Sequence, residues 1–411
     1  MSTDHADEAL AQAHRLYFGR LVGWLFRYTG DLGIAEDAVA SAFASALTAW
    51  RTVIPESPEA WLRVAARNSA MSALRRAERT VPITSEHVDM LAAPEAAADT
   101  GDRRLALMLV CAHPALDPRV RAPLMLQAVL GVDAARIASV FLVSPTTMGQ
   151  RLSRAKSKIR DSGIRFRIPD ADELASRLPA VYDAVYAAYG VSDPTAQLAD
   201  DRDHSLRAES IRLARILTEL VPANAEVWGL LALLLHTDSR RPGRVVDGRF
   251  VPLAEQNTRL WSSALRDEAN ECIRRSLALA DTVPFGRFQL EAAISAAHSA
   301  RATGSPTDWN SIATLYRGLL AMSPSVGATV GAASALTEAG HPDDALALLA
   351  SLPVDAMRSY QPYWVCQAHV LRALDRAAEA RAATERAVGL TTDPLIREYL
   401  IRVAAESEFS R

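Results

Sequence analysis

The chain has 411 residues, of which 49 % are hydrophobic and 23 % are charged, so it is long and apolar enough to form two or three globular domains. Its formal net charge is −3, yet residues 1–167 carry 21 basic against 17 acidic side chains, whereas the remainder carries 24 against 31. The composition excludes a disordered or collagen-like chain, and the uneven charge predicts that nucleic acid is bound by the first part alone.

The N-terminus and the cysteines predict a cytoplasmic protein without a membrane segment. The polar start, MSTDHADEALAQAH, lacks the apolar stretch of a signal peptide, and no apolar run approaches the roughly 20 residues that span a bilayer. Cys111, Cys272 and Cys366 lie far apart in the sequence, and none belongs to a CxxC pair. We therefore expect buried thiols, and neither a disulfide framework nor a zinc site.

Apolar residues recur at three- and four-residue spacing along most of the chain, which predicts an all-α fold. The pattern is clear in residues 35–50, 59–76, 205–220 and 312–322. One exception is expected at 244–253, where Asp247-Gly248 lies between short β-branched and aromatic stretches and predicts a small hairpin.

The first of these helices, residues 35–50, has one apolar face. Its stripe, which is expected to pack inward, consists of Val39, Phe43, Leu47 and Trp50. Off that stripe lie Glu36, Asp37, Ala40 and Ser41. Glu36 and Asp37 are also consistent with a solvated helix start, where the helix dipole favours acidic side chains.

Residues 58–76 predict a second helix with a basic surface. Its candidate phosphate-binding residues are Arg63, Arg67, Arg75 and Arg76. Trp61 could stack near an unpaired base, but the core is the expected place, because aromatic residues at helical spacing usually pack. Residues 80–102, which follow this helix, contain five acids and no Lys or Arg, and are predicted to form a linker.

The segment 144–160 contains the only two lysines of the chain, Lys156 and Lys158. Ser144 and Pro145 are typical of a helix start, and Met148, Leu152, Ala155 and Ile159 would form one apolar stripe. A shorter helix is predicted over 133–141, and a brief turn joins it to the helix that begins at Pro145. Together they predict a helix-turn-helix, although a solvated basic face on an ordinary helical hairpin has the same pattern. The candidate DNA-binding residues are Thr146, Thr147, Gln150, Arg151, Arg154, Lys156 and Lys158.

The rest of the chain, from about residue 170, predicts a helical array. Residues 340–352 and 375–388 align with a shift of 35, close to the tetratricopeptide period of roughly 34. Further antiparallel pairs are expected over 205–220, 224–236 and 255–280. Such an array presents a concave surface suited to a protein or peptide partner, or is a rigid appendage of the first part.

These motifs resemble the bacterial RNA polymerase sigma factors. Residues 131–160 resemble region 4, whose helix-turn-helix reads the minus-thirty-five element, and 31–51 and 58–76 resemble region 2. The short spacing between them is similar to the extracytoplasmic-function class. Through 111–116 and 163–178 the chain most resembles its subgroup with a C-terminal tetratricopeptide-like extension.

The resemblance implies a division into region 2 (1–79), a linker (80–102), region 4 (103–168) and a helical-repeat domain (169–411). It implies that Glu36, Asp37, Ala40 and Ser41 bind the polymerase core, with the β′ clamp and β flap as contacts, and that promoter DNA is the second partner. It further implies that the loop 52–58 holds a flipped-out base, and that the linker mimics RNA unless it is only a spacer.

Enzymatic activity is not expected. The nine histidines show no metal-binding spacing, and the chain has no phosphate-binding glycine loop, so no cofactor, metal or catalytic residue is predicted. Promoter recognition within RNA polymerase holoenzyme is the leading function, with the C-terminal array modulating activity. Two alternatives are a helical-repeat interaction scaffold and a conventional DNA-binding regulator that never joins polymerase.

Overall fold

The computed structural model describes residues 3–78, 100–141, 143–164, 166–190, 201–279, 285–353, 357–358 and 360–409. Within these ranges the protein is built almost entirely of α-helices, so the all-α prediction is confirmed. Contacts between residues divide it into two compact units. Unit 1 contains the helices up to Leu220, and unit 2 begins at Val221.

In the described part of unit 1, nine helices are present. They are α1 (Thr3–Thr29), α2 (Leu32–Ala49), α3 (Pro58–Glu78), α4 (Thr100–Cys111), α5 (Pro118–Leu130), α6 (Ala134–Val140), α7 (Pro145–Asp161), α8 (Ala171–Gly190) and α9 (Asp201–Leu220). Helix α1 packs on α2 and α3 on one side and on α4 and α5 on the other. It therefore joins the two segments that were predicted to be separate modules.

The predicted domain boundary at 168/169 differs from the division between the units. Helix α8 packs on α4 and α5, and α9 packs on α4 and α8, so both belong to unit 1. The segment before them also packs there, with the Phe166 ring 5.4 Å from the Phe26 ring of α1. Of the predicted acidic linker, residues 80–99 lie outside the described residues, and 100–102 form the start of α4.

Unit 2 is built mainly of helices. They are α10 (Ala225–Ser239), α11 (Ser263–Ala278), α12 (Arg287–Ser299), α13 (Trp309–Met322), α14 (Val326–Glu338), α15 (Pro342–Ala350), α16 (Gln361–Ala373), α17 (Ala377–Leu390) and α18 (Pro394–Phe409). From α12 to α18 most neighbours in sequence are also neighbours in space, which is typical of helical repeats. The segment predicted as one helix over 255–280 is instead two short 3₁₀ turns followed by α11.

The predicted hairpin is confirmed. Strands β1 (Val245–Val246) and β2 (Arg249–Phe250) pair antiparallel around Asp247-Gly248. Both turn residues have positive φ, 50° and 73°, as a two-residue type I′ turn requires.

Among the described helices, α2 alone has the length and apolar composition of a bilayer-spanning segment. Its apolar face is buried against α1 and α3, which is typical of a core helix.

Candidate functional site

The predicted helix-turn-helix is present, and its local signals act as expected. Asp133 accepts hydrogen bonds from the first turn of α6, and the Ser144 hydroxyl accepts one from the Thr147 amide at the start of α7. The apolar stripe of α7 is fully buried against the rest of unit 1; it consists of Met148, Leu152, Ala155 and Ile159. The two helices are thus held at a fixed angle by their own core.

One flank of α7 carries most of the predicted DNA-binding side chains. Thr146, Gln150, Arg154 and Lys158 are exposed, and Thr147 and Arg151 are half-buried. Within the described ranges, no carboxylate lies at ion-pair distance from Arg151, Arg154 or Lys158. This flank is therefore a cationic surface with hydroxyl and amide groups at its N-terminal end.

The opposite flank of α7 contacts α2 instead of solvent. Lys156 Nζ lies 2.5 Å from Glu36 Oε2, and the Arg160 guanidinium lies 3.1 Å from Asp31 Oδ2. Asp31 also caps α2, accepting hydrogen bonds from the amides of Gly33 and Ile34. A residue that was assigned to DNA and one that was assigned to polymerase are therefore paired with each other.

The expectation that Glu36 lies on an open outer face is wrong, because Lys156 covers it. The Glu36 side chain is 6 % exposed, and its Oε1 has no hydrogen-bond partner among the described residues. Burial raises the pKa of Glu36 to about 7, against the opposing effect of Lys156. The nearby Cys111 thiol is fully buried, and burial raises its pKa well above the ordinary value.

The remaining residues of the α2 face are accessible: Asp37, Ala40 and Ser41 are exposed. On the inner face, Val39, Phe43 and Trp50 are buried as predicted. Leu47 was predicted to pack inward and is instead 48 % exposed, because the helical period of 3.6 residues carries it to the edge of the stripe. It extends the accessible face of α2 with an apolar side chain.

Helix α3 places its predicted basic residues in two environments. Arg63 is half-buried and lies 3.8 Å from Glu59, which also pairs with Arg20 of α1 at 3.1 Å. Arg67 is also half-buried, whereas Arg75 and Arg76 are exposed at the C-terminal end of the helix.

Trp61 contacts the core without being enclosed by it. Its ring packs edge-on against buried Trp50, with the centroids 5.9 Å apart, and the residue is half-buried. The loop 52–58 begins two residues after Trp50 and exposes 67 % of Val53. An accessible apolar side chain therefore lies in the loop that was predicted to hold an unpaired base.

Sequence reasoning missed how closely α1 approaches α5, the helix before the helix-turn-helix. A Cβ atom at Gly19 of α1 would overlap the backbone of Val129 in α5. Gly131, with a φ of 70°, ends α5 against the His14 ring of α1. The only available signal was a glycine inside a helical pattern, which marks a close approach without naming the partner.

Among the described residues, the three cysteines are free and buried, as expected. In the same part of the chain, no group of three or more His, Cys, Asp or Glu side chains is arranged to hold a metal ion.

Three segments of the chain match known families. Residues 14–80, from α1 to the end of α3, match the family described as Sigma-70 region 2, and residues 106–159 match Sigma-70, region 4. Residues 177–277 match a family of unknown function, DUF6596. The last match extends from α8 into α11 and thus includes parts of both units.

Similarity to whole proteins extends further. The chain is 36 % identical over 399 residues to the uncharacterized protein R00370 of Rhizobium meliloti (strain 1021), covering 94 % of this chain and 93 % of that one. It is 31 % identical over 182 residues to the probable ECF RNA polymerase sigma factor SigI of Mycobacterium tuberculosis. That similarity covers 42 % of this chain and 60 % of SigI. No solved structure matches the chain.

Proposed function

Because residues 14–80 and 106–159 match sigma-70 regions 2 and 4, we propose that the chain acts as an RNA polymerase sigma factor in which α7 reads an upstream promoter element and α2 binds core polymerase. Sigma factors direct transcription initiation, and their partners are the polymerase core and promoter DNA. The observation that carries the proposal is the exposed cationic flank of α7, set on a buried stripe within a capped helix-turn-helix.

The α7 flank suits the major groove. Thr146, Thr147, Gln150 and Arg151 lie in the first two turns, where a recognition helix meets base edges. Arg154 and Lys158 continue along the same flank and neutralise phosphates. Lys156 points to α2 and contributes to DNA binding only after it leaves Glu36.

The polymerase contact is proposed for the accessible face of α2, formed by Asp37, Ala40 and Ser41, with the β′ clamp as the partner. Glu36 joins this face when α7 moves away. In the arrangement described here, the ion pairs from Lys156 and Arg160 hold the two sigma modules together, so binding of core polymerase competes with them. The β flap is proposed as the contact of the helix-turn-helix segment.

Helix α3 and the loop before it are proposed to act at the melted promoter segment. Arg75 and Arg76 are accessible for phosphates, and Arg63 and Arg67 contribute along the same helix. Val53 in the loop 52–58 offers an apolar contact for an unstacked base.

Unit 2 is proposed to modulate the sigma modules, in the manner of the subgroup with a tetratricopeptide-like extension. Its support is the repeat-like packing of α12–α18 and the acidic excess of the chain after residue 167. A cytoplasmic location is part of the proposal, since the polymerase acts there.

In vitro transcription with purified core polymerase on a library of genomic promoter fragments tests the function. A sigma factor produces transcripts from a defined subset of fragments, and each transcript depends on added protein. DNA binding without core-dependent transcription would favour a conventional regulator. Absence of both activities in a folded full-length chain would favour an interaction scaffold.

A further inference from the structure

Unit 2 contains a cavity of about 870 Å³ that is partly open to solvent. Its walls are formed by the hairpin and the chain after it, by α13, α14 and α16, and by the last two helices. A volume of this size is typical of pockets that hold small molecules, which fall at roughly 300–1,000 Å³.

The hairpin and the last helix close this cavity on one side. The ring of Phe250 in β2 packs edge-on against the ring of Tyr399 in α18, with the centroids 5.4 Å apart. An open helical array would present a groove to long peptides. Here the Phe250–Tyr399 contact bridges the groove, which favours a compact ligand over an extended chain.

The wall of the cavity is largely apolar and aromatic. Trp309 and Tyr316 line it from α13, and burial raises the pKa of Tyr316 to about 12, so its phenol stays neutral. His298 lies against Trp309, and burial lowers its pKa to about 4, which leaves the imidazole neutral as well. These groups provide flat surfaces for an apolar or aromatic body.

The charges that line the cavity are unbalanced in favour of cations. Among the described residues that line the cavity, Glu338 carries the one carboxylate, and it lies 3.0 Å from the imidazole of His369. Arg301 donates hydrogen bonds to the backbone carbonyls of Leu253 and Ala254. The lining of the cavity therefore carries more basic than acidic side chains, although the chain after residue 167 has an acidic excess.

Arg372 of α16 is the group best placed to receive an anion. Its described hydrogen bond goes to the neutral hydroxyl of Thr384, at 3.1 Å, and not to a carboxylate. Burial lowers the pKa of Arg372, because the charged guanidinium is partly removed from water, and Tyr399 opposes this effect. A bound carboxylate would supply an anionic partner in bidentate geometry.

We propose that unit 2 binds a small amphipathic carboxylate, with its acid group on Arg372 and its apolar body against Trp309 and Tyr316. This site is independent of the proposed sigma function, since none of its residues belongs to the sigma modules. It assigns a ligand class to a part of the chain that was predicted to bind proteins or peptides.

The test uses the full-length chain and 1-anilinonaphthalene-8-sulfonate, an aromatic anion whose fluorescence rises in apolar pockets. We expect saturable binding of one probe per chain, with displacement by decanoate but not by decyltrimethylammonium, which has the same apolar tail and the opposite charge. Arg372→Met should weaken probe binding about tenfold or more, the loss of a charge-assisted contact. Arg372→Lys should restore part of it.

Two further variants make the test specific. Ser334→Trp places a bulky ring in the wall of the cavity and should abolish binding. Arg317→Met removes the same charge from the exposed surface of α13 and should leave binding unchanged. Thermal unfolding followed by circular dichroism verifies that each variant is folded; if Arg372→Met is not, the competitor pair and Ser334→Trp decide the result.

Equal displacement by the two competitors would overturn the proposal, because it would show that charge is not recognised. Unchanged probe binding in Ser334→Trp would overturn it too, because the probe would then lie elsewhere. Unchanged binding in a folded Arg372→Met variant would remove the anion site.

Discussion

The buried ion pair between α2 and α7 predicts a specific dependence of stability on pH. The perturbation is Glu36→Gln, which keeps the shape of the side chain and removes its titration. Because burial raises the pKa of Glu36 to about 7 from 4.5, the folded protein binds a proton that the unfolded chain has released between these values. This contribution to stability is fully present below pH 4.5 and is lost as the pH rises through 7.

The size of the effect follows from the difference between the two pKa values. A difference of one in pKa corresponds to about 1.4 kcal/mol. The free energy of unfolding of the wild-type sigma modules should therefore fall by on the order of 3 kcal/mol between pH 5 and pH 8 because of Glu36. In Glu36→Gln, the free energy of unfolding should not show that decrease. The variant should then match wild type near pH 5 and exceed its stability at pH 8.

The measurement is urea unfolding of the full chain at pH 5, 6, 7 and 8, with hydrogen exchange in α2 identifying the transition that belongs to unit 1. The matched control is Asp37→Asn, which neutralises the exposed neighbour and should keep most of the wild-type loss, because Asp37 is a lesser cause of the raised pKa of Glu36 than burial. A constant difference between Glu36→Gln and wild type at all four pH values would refute the reasoning, because Glu36 would then not titrate in this range.

Further predictions concern DNA binding, polymerase binding, the role of unit 2 and the packing of α1 within unit 1. Arg154→Ala should weaken binding to an upstream promoter fragment by about 1–3 kcal/mol if a base contact is lost, and should reduce the dependence of the binding constant on salt concentration. An unchanged affinity together with an unchanged salt dependence would contradict the assignment of Arg154 to DNA binding. Asp37→Arg should reduce co-purification with core polymerase while the urea midpoint is retained, and normal assembly would exclude the α2 face. A chain ending at Leu220 keeps α8 and α9 in place and should differ from full length in transcript yield by more than about tenfold; equal yields would make unit 2 passive. Gly19→Ala should lower stability by about 1–3 kcal/mol in urea unfolding, because its methyl group overlaps Val129, whereas Gly149→Ala, with open space around it, should not.

Local features were predictable from the sequence because their signals are local. Ser144 and Pro145 predicted the start of α7, and the Asp247-Gly248 pair predicted the hairpin. The buried stripe of α7 followed from the helical period alone. In each case the physical cause lies within a few residues of the signal.

The features that could not be predicted from the sequence depend on contacts between residues that are far apart in the chain. Glu36 and Lys156 are 120 positions apart, and nothing in either helix indicates that one covers the other. Their pairing reverses the expected exposure of Glu36 and moves Lys156 from the DNA flank. The cavity of unit 2 was missed for the same reason, since Phe250 and Tyr399 meet only after the array has formed.

The contact between the hairpin and α18 also constrains how unit 2 unfolds and how its length can change. Helical arrays are linear systems in which each helix pair touches only its neighbours, so they fray from their ends and tolerate added repeats. The Phe250–Tyr399 contact adds a link between the hairpin and the last helix. Because α18 is then held by the hairpin as well as by α17, the last helix should exchange its amide hydrogens together with the hairpin and not before it. An inserted helix pair would separate Phe250 from Tyr399, so this contact constrains the number of helices between them.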